Sequence, residues 1–277
     1  MLVKFYKLEG TGNDFILLDF LRGRFALKPE KIVKLCDRHF GIGADGILVL
    51  LKARSKGADF QMRIFNADGT EAEMCGNGIR CVARYIYEKG LSRKSVLKID
   101  TLAGLMEVER RRKGLFRVRI GKPEFSPEKV PVLSDAPVID KPLKVDGEEF
   151  RVTCVSVGNP HCVIPVQSLD GIELKQLGPV IEHHHWFPNR VNVEFAQVIS
   201  QEHLKVRVWE RGAGETLACG TGACATLAAC VKLGLANKSA RVSLPGGDLW
   251  IELENDFLYL TGPARLLYKG QFDPKNF

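Results

Sequence analysis

Apolar and polar residues alternate through much of this chain, and a period of two predicts strands. Lys4–Tyr6 and Phe15–Phe20 read as strands around a Gly-Thr-Gly-Asn-Asp turn, and Ile47–Lys52 and Gln61–Phe65 follow. Further strands are predicted near 96–100, 105–110 and 115–120. A helical period takes over where Ile79, Val82, Ala83 and Ile86 mark a helix over Gly78–Glu88, with Gly90 suited to its C-terminal cap. Pro29 suits the first turn of another helix that runs to about His39. The stretch GKPEFSPEKVPVLSDAP at 121–137 is rich in proline and polar residues and reads as a linker. After it the order repeats. A strand near 151–157, a Gly158-Asn159 turn and a strand Val163–Val166 precede a helix near 171–182. Strands near 192–199 and 203–209 lead to a helix Thr221–Leu233 closed by Gly234, and strands near 240–244, 248–253 and 257–261 finish the series.

Each half is thus many strands around one central helix, with a second helix outside. The sequence itself is duplicated. RIFNADGTEAEMCGNG at 63–78 lies over RVWERGAGETLACGTG at 207–222 without a gap. Arg63 meets Arg207, Glu71 meets Glu215, Cys75 meets Cys219, Gly76 meets Gly220 and Gly78 meets Gly222. A period this long exceeds any solenoid repeat and predicts two equivalent domains. We expect one over 1–121 plus 266–277, carrying Cys75, and one over 122–265, carrying Cys219, with Leu266–Phe277 returning to complete the first. The copies differ at Asn66 over Glu210, Ala67 over Arg211 and Asn77 over Thr221.

Composition narrows the class. Of 277 residues, 45% are hydrophobic and 26% charged, as in soluble globular proteins. No apolar run approaches a membrane span, and MLVKFYKLEG has no apolar signal-peptide core, so a cytoplasmic protein without membrane association is expected. The net charge of +7 is spread out, and the tight cluster Arg110–Lys113 sits between two alternating runs, as a solvated hairpin turn does. No aromatic-plus-basic module accompanies it, so no nucleic-acid partner is expected. The eight cysteines include no CxxC pair and read as thiols rather than as disulfides or a zinc ribbon. His183, His184 and His185 are consecutive, share no helix face, and read as an exposed helix end; no metal site is expected. Gly41-Ile-Gly-Ala-Asp-Gly46 fits the dinucleotide fingerprint literally. Here, however, a helix precedes it and a strand follows, the reverse of what that fingerprint requires. It reads as a helix-to-strand loop near the active site.

The Cys-Gly-x-Gly turns carry the chemistry. Each cysteine ends a loop and the next residues open a helix, whose first N–H groups lack internal partners and carry partial positive charge. Such a turn cradles a carboxylate, with glycines allowing close approach. The same field is expected to lower the pKa of the adjacent thiol. Two such turns would offer two helix N-termini to one α-carboxylate and two sulfurs to one α-carbon. One thiolate would remove the α-proton while the other thiol returned a proton to the opposite face, with the carbanion stabilised at the helix N-termini. His161 and Glu210 are candidates to set which thiol is ionised. Cys36, Cys154, Cys224, Cys230 and Cys81 read as core.

At these residues the chain resembles the diaminopimelate epimerase family over nearly its whole length. The carriers are GTGNDF at 10–15, RHFGIGADG at 38–46, FNADGTEAEMCGNGIRC at 65–81, VGNPHCV at 157–163, RVN at 190–192, ERGAGETLACGTGAC at 210–224 and LPGG at 244–247. The resemblance implies an α+β fold of two pseudo-symmetric domains, each an antiparallel barrel-like sheet around a central helix. It implies epimerisation of L,L- to meso-diaminopimelate, in lysine and peptidoglycan precursor biosynthesis, with no cofactor and as a homodimer. On the matching positions, Cys75 and Cys219 resemble the catalytic base and acid, and His161 and Glu210 the residues that tune them. Asn13, Asn66, Asn159, Asn192, Glu210 and Arg211 resemble the side chains that hold substrate. Gly76, Asn77, Gly220 and Thr221 resemble the amide donors to its α-carboxylate. Some members have Gln where this chain has Gly46; backbone, water or a neighbour such as Asp45 are the candidates to substitute for the missing contact. The competing readings are a proline or hydroxyproline racemase of the same architecture and, from another class, a thiol redox or zinc-binding protein.

Overall fold

The computed structural model describes residues 2–23 and 27–277. It divides into two units, Met1–Val118 with Gly262–Phe277, and Arg119–Thr261. The chain runs β1 (Val3–Gly10), β2 (Asn13–Asp19), α1 (Pro29–Cys36), β3 (Gly46–Lys52), β4 (Phe60–Asn66), β5 (Glu71–Ala72), α2 (Gly76–Glu88), β6 (Val96–Thr101), β7 (Gly104–Arg110) and β8 (Leu115–Gly121). It continues through β9 (Lys141–Val145), β10 (Glu148–Ser156), β11 (Pro160–Val166), α3 (Leu174–Glu182), β12 (Asn192–Ser200), β13 (His203–Glu210), β14 (Gly214–Thr216), α4 (Gly220–Lys232), β15 (Ser239–Leu244), β16 (Gly247–Glu254), β17 (Phe257–Pro263) and β18 (Arg265–Phe272). Among the described residues no helix is long and apolar enough to cross a membrane.

The first unit pairs β1, β2, β3, β4, β6, β7 and β8 in that order, and β18 returns to lie antiparallel to β1. The second pairs β10, β11, β12, β13, β15, β16 and β17 in the same way. Each sheet is mainly antiparallel with two parallel joints, β2–β3 and β4–β6 in one, β11–β12 and β13–β15 in the other. Parallel neighbours need a long crossover, and every such joint is spanned by a helix. α1 and α2 serve the first unit and α3 and α4 the second.

The central helices are buried on nearly all sides. α2 packs on β1, β2, β3, β4, β7 and β18, and α4 on β10, β11, β12, β13, β15 and β16. In the second unit the alternation along each strand divides two cores. Val163, Ala196, Val206 and Val208 face α4, whereas Cys162, Ile164, Val193 and Phe195 face the core that contains Leu174 and Ile181 of α3. Arg80 on α2 is fully buried. It donates to Thr11 Oγ1 at 2.9 Å, Asn77 Oδ1 at 2.9 Å, Gly76 O at 3.0 Å and Pro263 O at 3.2 Å, which ties the start of the helix to the β1–β2 turn.

Several elements differ from expectation. Helix α1 stops at Cys36 rather than near His39, because the Asp37 carboxylate accepts the N–H groups of His39 and Phe40, each at 2.7 Å, and turns the chain. Both central helices start on the glycine after the cysteine, earlier than periodicity placed them. Residues 121–137 are not a solvated linker. Val130 and Val132 are buried in the α3-side core, and Glu124 bridges to Ser156. Strand β9, unexpected from sequence, forms a hairpin with β10 through Asp146 and Gly147, both at positive φ.

Two substitutions test this packing. A Cβ at Gly178 on α3 would lie 2.5 Å from the Trp209 ring. Gly178→Ala is expected to destabilise by about 1–3 kcal/mol from overpacking, read from urea unfolding. Arg80→Met strands several buried acceptors and is expected to cost at least about 3 kcal/mol by the same measurement. A cost under 1 kcal/mol for either would contradict the packing described.

Candidate active site

Cys75 and Cys219 are helix N-caps. Both have extended backbones, φ −142°, ψ 122° and φ −114°, ψ 115°, and each sulfur accepts the N–H three residues on. Those contacts, Gly78 N–H to Cys75 Sγ and Gly222 N–H to Cys219 Sγ, are both 3.4 Å long. Oxygen side chains are the usual caps here, so sulfur at both positions points to reactivity rather than helix stability. The glycines leave the first turn closely packed on side chains beneath it. A Cβ at Gly78 would lie 2.9 Å from Leu48 Cδ2, and one at Gly222 would lie 2.9 Å from Glu194 Oε1. The duplicated Arg–Glu pair braces the arm before each cysteine. Arg63 binds Glu71 in two-pronged fashion at 2.6 and 2.7 Å, and Arg207 Nε donates to Glu215 at 2.9 Å.

In the first unit Cys75 is half-buried. Asn77 is buried and its Oδ1 accepts from Arg80, so its side chain turns inward. The Arg80 guanidinium keeps its charge and places a cation behind the first turn of α2. Asn13, at the start of β2, has a buried Oδ1 with no hydrogen-bond partner among the described residues. Asn66 ends β4, exposed, with Nδ2 donating to Thr70 Oγ1 at 3.0 Å. A Cβ at Gly46 would lie 2.5 Å from Phe65 O, so strand β4 as placed leaves no room for a side chain there. The neighbouring Asp45 carboxylate accepts Asp14 N–H at 3.0 Å and pairs with Arg38 at 2.7 Å.

In the second unit the polar residues form a chain. Glu194 Oε1 lies 2.6 Å from His161 Nδ1, and both side chains are wholly buried. His161 Nε2 lies 2.9 Å from Asn159 Oδ1. Asn159 Nδ2 donates to Thr221 Oγ1 at 3.3 Å, and that hydroxyl lies 3.4 Å from Cys219 Sγ. Glu210 accepts from the Thr216 hydroxyl at 2.6 Å. Asn192 is a brace: Nδ2 donates to Pro160 O at 2.7 Å and Oδ1 accepts Arg211 N–H at 2.9 Å. Arg211 is exposed, with one guanidinium nitrogen 3.2 Å from Asn189 O. Glu182 on α3, almost fully buried, accepts from Gly212 N–H and Trp209 Nε1 and so fixes the 210–214 loop.

The expectation that each turn lowers the pKa of its thiol fails at Cys219. Burial and the carboxylates of Glu210 and Glu194 push that thiol well above its usual range, against the smaller downward pull of Thr221 and Gly222 N–H. A fully buried sulfur loses more by desolvation than one helix terminus returns. Burial likewise raises Glu194, with His161 drawing it back.

Cys219, His161, Asn159, Thr221, Gly220 and Glu210 thus gather around one helix start, and Cys75, Gly76 and Asn77 around the other. Sequence reasoning missed Arg80, Glu182 and Glu194. Glu194 was detectable as a charge on the α4-facing side of a strand whose neighbours Val193 and Phe195 face the other core. The ungapped repeat hid its counterpart, because 13–48 align with 159–194 at a spacing two residues longer.

The diaminopimelate epimerase family model matches residues 5–126 and 153–267. The chain is 47% identical to the diaminopimelate epimerase of Acetivibrio thermocellus, over 98% of this chain and 99% of that protein. It is 49% identical to diaminopimelate epimerase 1 of a Nostoc species, over 98% and 100%. Among solved structures the fold is shared with a hydroxyproline epimerase from Agrobacterium vitis, TM-score 0.71 at 15% identity over 98% of this chain and 92% of that one. It is also shared with a phenazine biosynthesis protein of the PhzF family from Bacillus anthracis, TM-score 0.68 at 18% identity over 98% and 99%. The duplicated, cysteine-capped helix starts and the full-length agreement together establish that the chain belongs to the diaminopimelate epimerase family.

Proposed function

We propose that this chain is a diaminopimelate epimerase that interconverts the L,L and meso forms with two cysteines and no cofactor. The observation that carries the reading is the pair of equivalent helix starts, each capped by a cysteine sulfur. Inversion at a carbon that bears hydrogen needs a base on one face and an acid on the other, and a matched pair of thiols supplies both.

Cys219 is held as a thiol by burial and by two carboxylates. In the direction that starts from a Cys219 thiol, Cys75 is then the base. Its thiolate takes the α-proton and becomes a thiol; the electron pair left on carbon spreads into the α-carboxylate. Cys219 gives its proton to the opposite face and becomes the thiolate. The enzyme ends with the proton on the other sulfur, which is the starting state for the reverse reaction. The backbone amides of Gly76, Asn77, Gly220 and Thr221 are the proposed donors to the α-carboxylate, where the growing charge strengthens each hydrogen bond. Arg80 adds a fixed positive charge behind the first pair. His161 and Glu210 tune the sulfurs.

Asn13, Asn66, Asn159, Asn192, Glu210 and Arg211 are proposed to hold the rest of the substrate, with Arg211 suited to the distal carboxylate. Of these, Asn159 and Asn192 act mainly through the neighbours they brace, since both ends of each amide are engaged within the chain. The working form proposed from the resemblance is a cytoplasmic homodimer.

Cys75→Ala and Cys219→Ala are each expected to lower epimerisation by about 10³-fold or more with unchanged cooperative unfolding, measured by chiral chromatography of diaminopimelate. Retained turnover in either variant would refute the two-thiol reading. Exchange of the α-proton of proline but not of diaminopimelate by the unmodified chain would move it to the proline racemase type.

A further inference from the structure

The two units can be placed in register through their strand pairing. Leu48 pairs with Ile64 as Glu194 pairs with Val208, and Ile64 and Val208 are equivalent in the repeat. Phe15 pairs with Gly46 as His161 pairs with Asn192. Unit one therefore carries Phe15 and Leu48, both buried and apolar, where unit two carries His161 and Glu194. The equivalence is steric as well: a Cβ on Gly78 would meet Leu48, and one on Gly222 would meet Glu194, at the same 2.9 Å. One turn rests on hydrocarbon and the other on a buried acid–imidazole pair. Burying such a pair is costly, and unit one's apolar pair fills the same place without that cost.

The proton count gives the pair a direction. Asn159 spends its amide N–H on Thr221 and turns Oδ1 to His161 Nε2. An oxygen acceptor there requires a proton on Nε2. Nδ1 must then share a second proton with the Glu194 carboxyl, 2.6 Å away. With Nε2–H fixed, Asn159 is fixed, and Thr221, which accepts from Asn159, has its own hydroxyl proton left for Cys219 Sγ.

We propose that Glu194 is a positioning residue for proton transfer at Cys219: it sets the direction of the chain Glu194–His161–Asn159–Thr221–Cys219, so that the Thr221 hydroxyl donates to the sulfur. The thiolate left when Cys219 gives up its proton then accepts two hydrogen bonds, from Thr221 and from Gly222 N–H. Without Glu194, Asn159 is free to turn over and offer Oδ1 to the Thr221 hydroxyl, which draws that proton off the sulfur. The charged groups that act on Cys219 directly are Glu210 on β13 and Glu194 on β12; His161 on β11 reaches it through Asn159. This inference rests on the proposed role of Cys219 as proton donor.

The test compares Glu194→Leu, the residue unit one uses, with Glu194→Gln, whose amide donates to Nδ1 and keeps Nε2–H in place. Two readouts are taken. The first is kcat and KM for diaminopimelate in both directions. The second is the pH midpoint of Cys219 alkylation by iodoacetamide, followed by peptide mapping, which needs no turnover. Both variants remove the carboxylate that raises the Cys219 thiol, so the hydrogen-bond chain is read from the difference between them. Glu194→Leu is expected to have a kcat about tenfold below that of Glu194→Gln with KM within about threefold, and an alkylation midpoint about one pH unit above it. Equal midpoints, or equal kcat, in the two variants overturn the proposal. Should Glu194→Leu fail to fold, the double variant His161→Phe with Glu194→Leu reproduces unit one's pair and is expected to have its midpoint equally far above that of Glu194→Gln; no difference there also overturns it. If the unmodified chain does not turn over diaminopimelate, the proposed function fails, and the alkylation comparison still reads the hydrogen-bond chain.

Discussion

A helix that begins inside a sheet-lined core starts with backbone N–H groups that nothing in the helix can satisfy. Everything else in this protein is arranged around two such starts. The sheet of each unit wraps a central helix, so each helix start is fixed by strands on several sides. Sulfur caps both. The cap satisfies one amide weakly and places a thiol beside a positive helix end, where a carboxylate also binds well. A helix cap, a positive helix end and a thiol thus meet at one residue in each copy.

Symmetry of the frame then gives way to asymmetry of charge. Behind the Cys75 turn lie a fixed guanidinium, Arg80, and the apolar pair Phe15 and Leu48. Beside the Cys219 turn lie the carboxylates of Glu194 and Glu210, which with burial hold the thiol protonated. At the position equivalent to Arg80, unit two has Cys224, an uncharged core residue. Two sulfurs in equivalent helix-cap positions therefore sit in different electrostatic surroundings, set by what lies one layer deeper. The substrate side differs too: Asn77 is drawn inward by Arg80, whereas Thr221 keeps its hydroxyl at the sulfur.

Most of the fold was legible in the chain because alternation and helical period are local signals. Most strands of both units and the two central helices follow from them, whereas β5, β9, β14 and β18 do not. The duplicated Arg63–Glu71 and Arg207–Glu215 pairs turned out to brace the arms ahead of the cysteines. What local pattern misses is tertiary. Residues 121–137 look like a linker because proline and polar residues dominate, yet Val130 and Val132 find a core to fill. The site shows the same limit. The cysteines, glycines and asparagines stand in recognisable turns. Arg80 and Glu194 sit inside apolar segments, and their partners, Thr11 and His161, are distant in sequence. The sign of the shift at Cys219 also depended on burial, which the turn motif does not encode.

The proposed epimerisation needs two thiols acting on opposite faces of one carbon. The most direct test runs L,L-diaminopimelate in D₂O and follows label at the inverted centre during the first few percent of reaction. Separate sulfurs predict that the meso product carries deuterium while recovered L,L substrate stays unlabelled, since the proton taken by one sulfur is not returned to the same face before turnover. Deuterium entering recovered substrate as fast as product, or meso product that retains the original hydrogen, would mean that a single base handles both faces and would contradict it.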